Sequence, residues 1–403
     1  MEFISILTAL LLGLFSGLIT GITPGIHVNL VTVLLLSFSS LLLQITSPLV
    51  LAAYIISLAI THTFLDTLPS IYLGAPDEGK ALSVLPGHRL LHQGLGHQAI
   101  AYTLIGSFGS LLLSIILFPL FVVSMNLIAP VIEDWIGFLL IAIMAYMILK
   151  EKNKKLNSLA VFLLSGILGL LVLSGIPNLT QPLFPLLSGL FGCSILLLSL
   201  LQKAIIPPQA TGSQLIISTK NMAKSVSAAT GVGFLAAFLP GFGSSQAAIV
   251  ATNVVGDLGD EGFLSLVGGI NTANMLISIG TIYALDKARN GAIVAVSQLL
   301  EQVNLNEVLL FLAVALVAGG LSVVLTLNLS RIFSKYIAKV NYRRLVILII
   351  GFITLLTFYF DGIIGLQILL TATALGLVAS HLGVGKNHLM GCLIVPVILY
   401  FVI

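Results

Sequence analysis

The chain has 403 residues, 58% of them hydrophobic and only 8% charged, against about 25% charged residues in soluble domains. That excludes a soluble globular protein, and a net charge of +3 gives no electrostatic basis for nucleic-acid binding. Cys193 and Cys392 both lie in apolar runs, so no disulfide framework, metal centre or cofactor is expected.

Apolar runs near the ~20 residues that a helix needs to cross the hydrocarbon, without the alternation of barrel strands, point to an all-α polytopic membrane protein. About 10–12 transmembrane helices or half-helices are expected. In chain order the spans fall at 3–22 with a continuation over 28–45, then 48–65, 97–119, 135–149, 157–174 and 184–201. The second half has 226–239 with 242–255, then 262–284, 290–300, 306–328, 343–360, 362–381 and 388–402. The opening Met-Glu-Phe lacks a basic signal-peptide region, so the first helix is expected to be retained.

The first helix carries Gly13, Gly17 and Gly21 at four-residue intervals, and then Thr23, Pro24 and Gly25, with His27 and Asn29 following. Small residues on one face let a neighbouring backbone come close. A proline inside such a run removes a donor and clashes with the preceding turn, which breaks the helix. The pattern recurs: Gly233, Ala237, Pro240 and Gly241 superpose on Gly17, Gly21, Pro24 and Gly25, with Gly243, Ser244 and Ser245 just beyond. Two structural repeats, expected to be inverted, follow from this duplication. Matching broken helices in two halves are a sequence pointer to a transporter's substrate site, because their freed backbone groups can face only protein or a water-filled cavity.

Charge divides the chain into a first membrane repeat (1–150), connecting helices (151–224) and a second repeat with C-terminal helices (225–403). Lys150, Lys152, Lys154 and Lys155 form one basic cluster, and Arg331, Lys335, Lys339, Arg343 and Arg344 another; both are expected on the cytoplasmic side. Lys203, Lys220 and Lys224 are expected there too. The acidic Glu133-Asp134 pair and the uncharged 175–182 loop are expected outside.

The most polar stretch inside the membrane begins at Thr61, His62, Thr63 and Asp66. His62 and Asp66 are four apart and share a helix face. Ionisable groups at that depth are expensive and by default mark function, so this cluster is a candidate ion-coupling site. In the second half, Asn271 and Asn274 lie three apart in an otherwise apolar run, and buried amides need partners. Both groups could also serve only to pin helices together, and that reading stays open beside the functional one.

These residues resemble the large membrane subunit of tripartite tricarboxylate transporters. The likeness rests on Pro24-Gly25 after a Gly-rich helix, on Leu73-Gly-Ala-Pro76-Asp77-Glu78-Gly79-Lys80-Ala81 with Pro86-Gly87-His88, and on Gly94 and Gly106-Ser-Phe-Gly109. In the second half it rests on Pro240-Gly241-Phe-Gly243, Glu261-Gly262 and Asn271-Thr-Ala-Asn274. The resemblance implies a permease for a carboxylated solute. The chain departs from the family pattern at Thr61–Asp66 and around Ile270–Asn274, and this weakens the implication of a periplasmic binding-protein partner.

The expected function is a secondary active transporter of a small anionic, carboxylate solute in the cell membrane, working by alternating access. The substrate-binding residues would be Thr23, Pro24, Gly25, His27, Asn29, Pro240, Gly241, Gly243, Ser244, Ser245, Asn271 and Asn274. Each break starts a half-helix whose free amides and dipole favour an anion, while the carbonyls of the outgoing half suit Na⁺. Thr61, His62, Thr63 and Asp66 would carry coupling by a proton or Na⁺. Expected partners are the solute and the lipid bilayer; a homodimer is left open. A carrier of a lipid phosphate is the alternative. A membrane-embedded enzyme using His62, Asp66, His88, His92 and His97 is weaker, since no ligand spacing such as HExxH occurs.

Gly25→Leu and Gly241→Leu are each expected to abolish solute uptake into reconstituted vesicles while the purified protein stays monodisperse. The added side chain would obstruct the amides that open the half-helix. Loss of folding at both positions would assign the Pro-Gly pairs to packing alone.

Overall fold

The computed structural model describes residues 2–24, 28–75, 78–132, 135–151, 153–201, 206–212, 215, 218–238, 243–288, 290–300, 302–337 and 342–402. Among these the fold is helical throughout and contains no strand. The first part holds α1 (Glu2–Ile22), α2 (Val28–Ser37), α3 (Ser39–Leu42), α4 (Pro48–Leu65), α5 (Val84–His92), α6 (Gly96–Ile116), α7 (Phe118–Ile132) and α8 (Ile136–Lys150). The middle holds α9 (Lys155–Leu170), α10 (Leu183–Leu187) and α11 (Ser194–Leu201). The last part holds α12 (Thr219–Phe238), α13 (Ser244–Val255), α14 (Gly259–Ala284), α15 (Gly291–Leu299), α16 (Leu305–Ile337), α17 (Tyr342–His381) and α18 (Gly391–Val402). Seven described helices are long and apolar enough to cross a membrane, and four shorter apolar ones accompany them.

Local chemistry sets many of these ends. Ser47 caps α4 by accepting from the Val50 N–H at 3.4 Å, with Pro48 in the first turn, where a missing N–H costs nothing. Asn290 caps α15 through the Ile293 N–H at 2.9 Å. Asn304 and Glu307 exchange side-chain-to-backbone bonds of 2.9 and 3.1 Å at the start of α16, a reciprocal capping box. In α17 the two expected spans meet at a kink on Gly362, whose φ of +60° is open to glycine and strained for other residues.

Two departures from the expected spans have a local cause in the sequence. The span expected over 97–119 ends at Ile116, and α7 begins at Phe118, because Pro119 suits the first turn of a new helix and not the interior of an old one. Ser124, Asn126 and Pro130 dilute the apolar signal of α7 in the sequence. The continuation over 28–45 is divided into α2 and α3, where the Ser39 hydroxyl donates to the Leu36 carbonyl at 2.6 Å and competes with the helical ladder.

Two spans are sunk deepest. In its most apolar 18-residue window, the α4 span through Leu73 is 78% buried and α14 is 83% buried, against 17% for the α17 span. α4 packs on α1 and α16; α14 packs on α12 and α6. Along α1, Gly13 faces Ser57, Gly17 faces Thr61 and Gly21 faces Leu65, so α1 and α4 run in the same direction. In the second half the Ser225 hydroxyl donates to the Gly262 carbonyl at 3.0 Å and Gly233 lies on Ile270 and Ala273, so α12 and α14 run together as well. The two contacts match in detail. A Cβ on Gly17 would lie 2.6 Å from the Leu58 carbonyl oxygen and 2.6 Å from the Thr61 Cβ. One on Gly233 would lie 3.2 Å from the Ile270 oxygen and 2.7 Å from the Ala273 Cβ.

α6 and α16 run in opposite directions, with His97 beside Ser330 at one end and Leu111 beside Gly319 further along. At that first end, Tyr72 donates or accepts at Ser330 (2.9 Å) and Ser334 (2.6 Å). The Lys150–Lys155 loop meets the turn before α18: Lys154 donates to the Gly383 carbonyl at 2.8 Å and Glu151 faces His388 at 3.1 Å. At the kink in the middle of α17, the Asp361 carboxylate accepts from the Gln181 N–H at 3.1 Å. The basic loop and the uncharged 175–182 loop therefore lie at opposite ends of the part of α17 that follows the Gly362 kink. Glu133, Asp134, Lys152, Lys203 and Lys339 lie outside the described residues.

Gly17→Leu and Gly233→Leu are expected to lower the melting temperature of the detergent-purified protein, since overpacking of this kind costs about 1–3 kcal/mol. Gly106→Leu should do so more strongly, because its side chain would run into the Ser265 carbonyl. Gly320 and Gly351 have nothing within 4 Å of an added Cβ, so Gly320→Leu and Gly351→Leu should leave it unchanged or raise it slightly, as a helix interior favours leucine over glycine by just under about 1 kcal/mol. Equal effects at all five would remove the close-approach explanation.

Candidate functional site

α4 brings the polar stretch of the first half into the centre. Asp66 closes that helix, its N–H bonded to the His62 carbonyl at 3.0 Å. The chain continues through a π-helical turn, Pro69–Leu73, which ends at Gly74 with φ +64°. Such turns are frequent at functional sites. Asp66 is only 2% exposed and Lys80 is 0% exposed, and the Lys80 Nζ faces the Asp66 Oδ1 at 3.6 Å. Lys80 is carried on the 3₁₀ turn Glu78–Ser83, where the Ser83 hydroxyl donates to the Lys80 carbonyl at 2.7 Å.

The other carboxylate oxygen reaches across to the second half. Asn271 Nδ2 donates to Asp66 Oδ2 at 3.0 Å, and the Ser244 hydroxyl donates to Asn271 Oδ1 at 3.4 Å. Asn274 Nδ2 donates in turn to the Ser244 Oγ at 3.3 Å. Ser244 is the first residue of α13, after Gly243 in extended backbone with no side-chain cap. The sequence Lys80, Asp66, Asn271, Ser244, Asn274 is thus one connected polar chain, running from a cation in the first half to the start of a helix in the second. Ser245 beside it is buried at 1% exposure.

The four residues Thr61, His62, Thr63 and Asp66 point to different neighbours. The His62 Nδ1 lies 3.0 Å from the Thr20 hydroxyl on α1. Thr61 presses its Cβ and methyl on Gly17. Thr63 bonds the Ile60 carbonyl at 2.8 Å and meets Thr272 of α14 at 3.2 Å. Asp66 belongs to the chain just described. Near the first break, Thr23 bonds back to the Ile19 carbonyl at 3.2 Å, and Thr23 and Pro24 are partly buried at the end of α1. Gly25, His27, Pro240 and Gly241 lie outside the described residues, and Asn29 is described only as part of the α2 backbone.

Lys80 is the residue that the sequence reading passed over. A signal was present, since Lys80 is the first Lys or Arg in the chain and a buried carboxylate requires a counter-charge. Of the histidines offered for an enzyme, His88 and His92 lie edge to face with ring centroids 6.2 Å apart, and His62 faces Thr20 on α1. Burial, with the His92 ring adding to it, pushes His88 down to about 3, while the His97 Nδ1 lies 2.9 Å from the Ser330 hydroxyl. Among the described residues no group of three or more His, Cys, Asp and Glu side chains is set to hold a metal ion.

Residues 7–391 match the family model described as "Tripartite tricarboxylate transporter TctA family". The chain is similar to "Uncharacterized protein MJ1079" of Methanocaldococcus jannaschii, 30% identical over 403 aligned positions that cover 97% of this chain and 98% of that one. No solved structure matches it. The family match runs from the first half of α1, ahead of its glycine ladder, to the start of α18 and includes every residue of the polar chain; this protein belongs to the tripartite tricarboxylate transporter TctA family, as a multi-pass membrane component of tricarboxylate transport.

Proposed function

We propose that the chain is the permease of a secondary active transporter for a small carboxylate anion, working by alternating access between two inverted repeats and coupled to Na⁺ or protons. The observation that carries this reading is the polar chain from Asp66 through Asn271 and Ser244 to Asn274. It ties the two halves together beside the N-terminus of α13, where a helix offers free amides and the positive end of its dipole to an anion. Side-chain oxygens around it suit a coordinated Na⁺.

The helix directions support the inversion. α1 runs with α4, as α12 runs with α14, while α6 and α16, which flank α14 and α4 in corresponding positions, run oppositely. By its lysine and arginine content, the end that holds Lys150, Lys154 and Arg331 is the cytoplasmic one. The family system is tripartite, and a solute-binding protein is a natural donor to the opposite face; the variant residues at Thr61–Asp66 leave this chain's need for one to be measured in its presence and absence.

Purified protein in proteoliposomes should take up labelled citrate against its gradient when a Na⁺ or pH gradient is imposed. Excess unlabelled citrate should compete and a polyprenyl phosphate should not; the reverse pattern would make the cargo a lipid phosphate. Asn271→Leu should reduce uptake at least about tenfold, because a hydrogen bond to a charged group is worth about 1.5–3 kcal/mol and its loss leaves Asp66 short of a donor.

The coupling ion is read from a second pair of gradients. Asp66→Asn should keep solute counterflow and lose accumulation driven by pH, since a buried carboxylate can carry a proton and an amide cannot. Unchanged pH-driven accumulation would take Asp66 out of coupling. Uptake that instead follows sodium and fails in Ser244→Ala or Asn274→Leu would place Na⁺ among the oxygens at the start of α13.

A further inference from the structure

We infer that Lys80 is the cation that recognises the solute carboxylate, and that Asp66 acts as an internal competitor which sets the specificity of the site. The inference rests on the transporter reading above. A lysine with 0% exposure in an apolar bundle requires a negative charge nearby, and in this structure the Asp66 carboxylate lies 3.6 Å from its Nζ. That separation exceeds the roughly 2.7–2.9 Å of a close charge-assisted hydrogen bond. Asp66 is held from its other side by Asn271 at 3.0 Å, so it does not depend on Lys80 alone and can keep a donor while the lysine turns to another carboxylate.

Competition against a tethered group has a consequence for selectivity. A carboxylate on the same chain acts at a high effective concentration, so a free monocarboxylate displaces it poorly. A solute with two or three carboxylates can do so, because a second carboxylate is held at the start of α13, where Ser244 and Asn274 stand at the far end of the same polar chain. Asp66 therefore admits polycarboxylates and rejects monocarboxylates. His62, the other titratable group on α4 near this point, faces Thr20 on α1 at 3.0 Å. The carboxylate that Asp66 leaves uncompensated when Lys80 changes partner is then matched by the coupling cation.

The test is binding of citrate and of propionate to the full-length purified protein, by titration calorimetry at one fixed pH, with each variant first shown to be monodisperse. Wild type should bind citrate and not propionate. Asp66→Asn should bind citrate about tenfold more tightly or better, since close buried charge pairs couple strongly, and should gain propionate binding. Lys80→Met should lose both. The Lys80→Met/Asp66→Leu double variant removes both charges and so leaves neither buried alone; it should fold and bind neither ligand. Equal weakening of citrate binding in both single variants, with recovery in the double variant, would overturn the inference and make the pair a structural pin. So would citrate binding in the double variant like that of wild type. If wild type itself shows no saturable citrate binding or uptake, the carboxylate-transporter reading fails, and this inference with it; that failure is seen in wild type and the others only in variants.

Discussion

A carboxylate buried in the middle of an apolar bundle dictates the chemistry around it. Left alone, the Asp66 charge would cost several kcal/mol of lost hydration, and Lys80 and Asn271 offset that cost. Lys80 comes from a turn beyond α4 and Asn271 from the opposite half of the chain. Because these two partners lie on different elements, Asp66 fixes how the halves meet. The rest of the polar chain follows: Asn271, having donated to Asp66, has an oxygen left to accept from Ser244, and Ser244 accepts from Asn274. Each member leaves the next with a group to satisfy, and the chain ends where a helix begins.

Such a network needs helices closer together than ordinary side chains permit. The glycines of α1 let α4 approach until the Leu58 carbonyl lies against Gly17, and Gly233 does the same for Ile270 on α14. Gly106 and Gly268 bring α6 onto α14 at Ser265 and Thr103. In lipid, where apolar surface alone does not drive helices together, such contacts supply dispersion energy and position. The small residues thus set the spacing, and the polar chain sets which residues meet across it.

How much of this was legible in the sequence depended on whether a signal was local. Hydropathy and glycine spacing located α1, α4, α12 and α14, since a span's length and the four-residue period are properties of one helix. The kink at Gly362 lay at the boundary between two expected spans. Pro119 was misjudged because a proline can end one helix and open another, and only the packing of α7 decides between them. At the site, Asp66, Asn271 and Asn274 were recognisable as polar groups in apolar runs and Ser244 as a neighbour of the second break, but the Asp66–Asn271 connection spans more than two hundred residues of sequence and could not be read from periodicity. Lys80 was missed because it stands in a polar loop motif, where charge ordinarily means solvent. His62 was paired with Asp66 on helical spacing, yet its ring nitrogen faces Thr20, as α1 supplies a hydroxyl on the same face.

The two halves share a backbone frame and differ in chemistry. Gly17 rests on Leu58 and Thr61, Gly233 on Ile270 and Ala273, and this registration makes His62 the counterpart of Asn274 and Asp66 the counterpart of Ser278. Yet Ser278 turns its hydroxyl to the Asn274 carbonyl of its own helix at 2.7 Å, while Asp66 reaches out to both Lys80 and Asn271. One half therefore contributes a charge pair and the other contributes amides and hydroxyls. In the alternating access proposed above, matched frames let the two halves exchange conformations at similar energy. A fully symmetric site would place two carboxylates in one low-dielectric space, where like charges repel strongly. In the proposed transport cycle, dividing the roles keeps the frame symmetric for motion and the site asymmetric where it meets the solute, so that the buried Asp66 is answered first by Lys80 and then by the coupling cation.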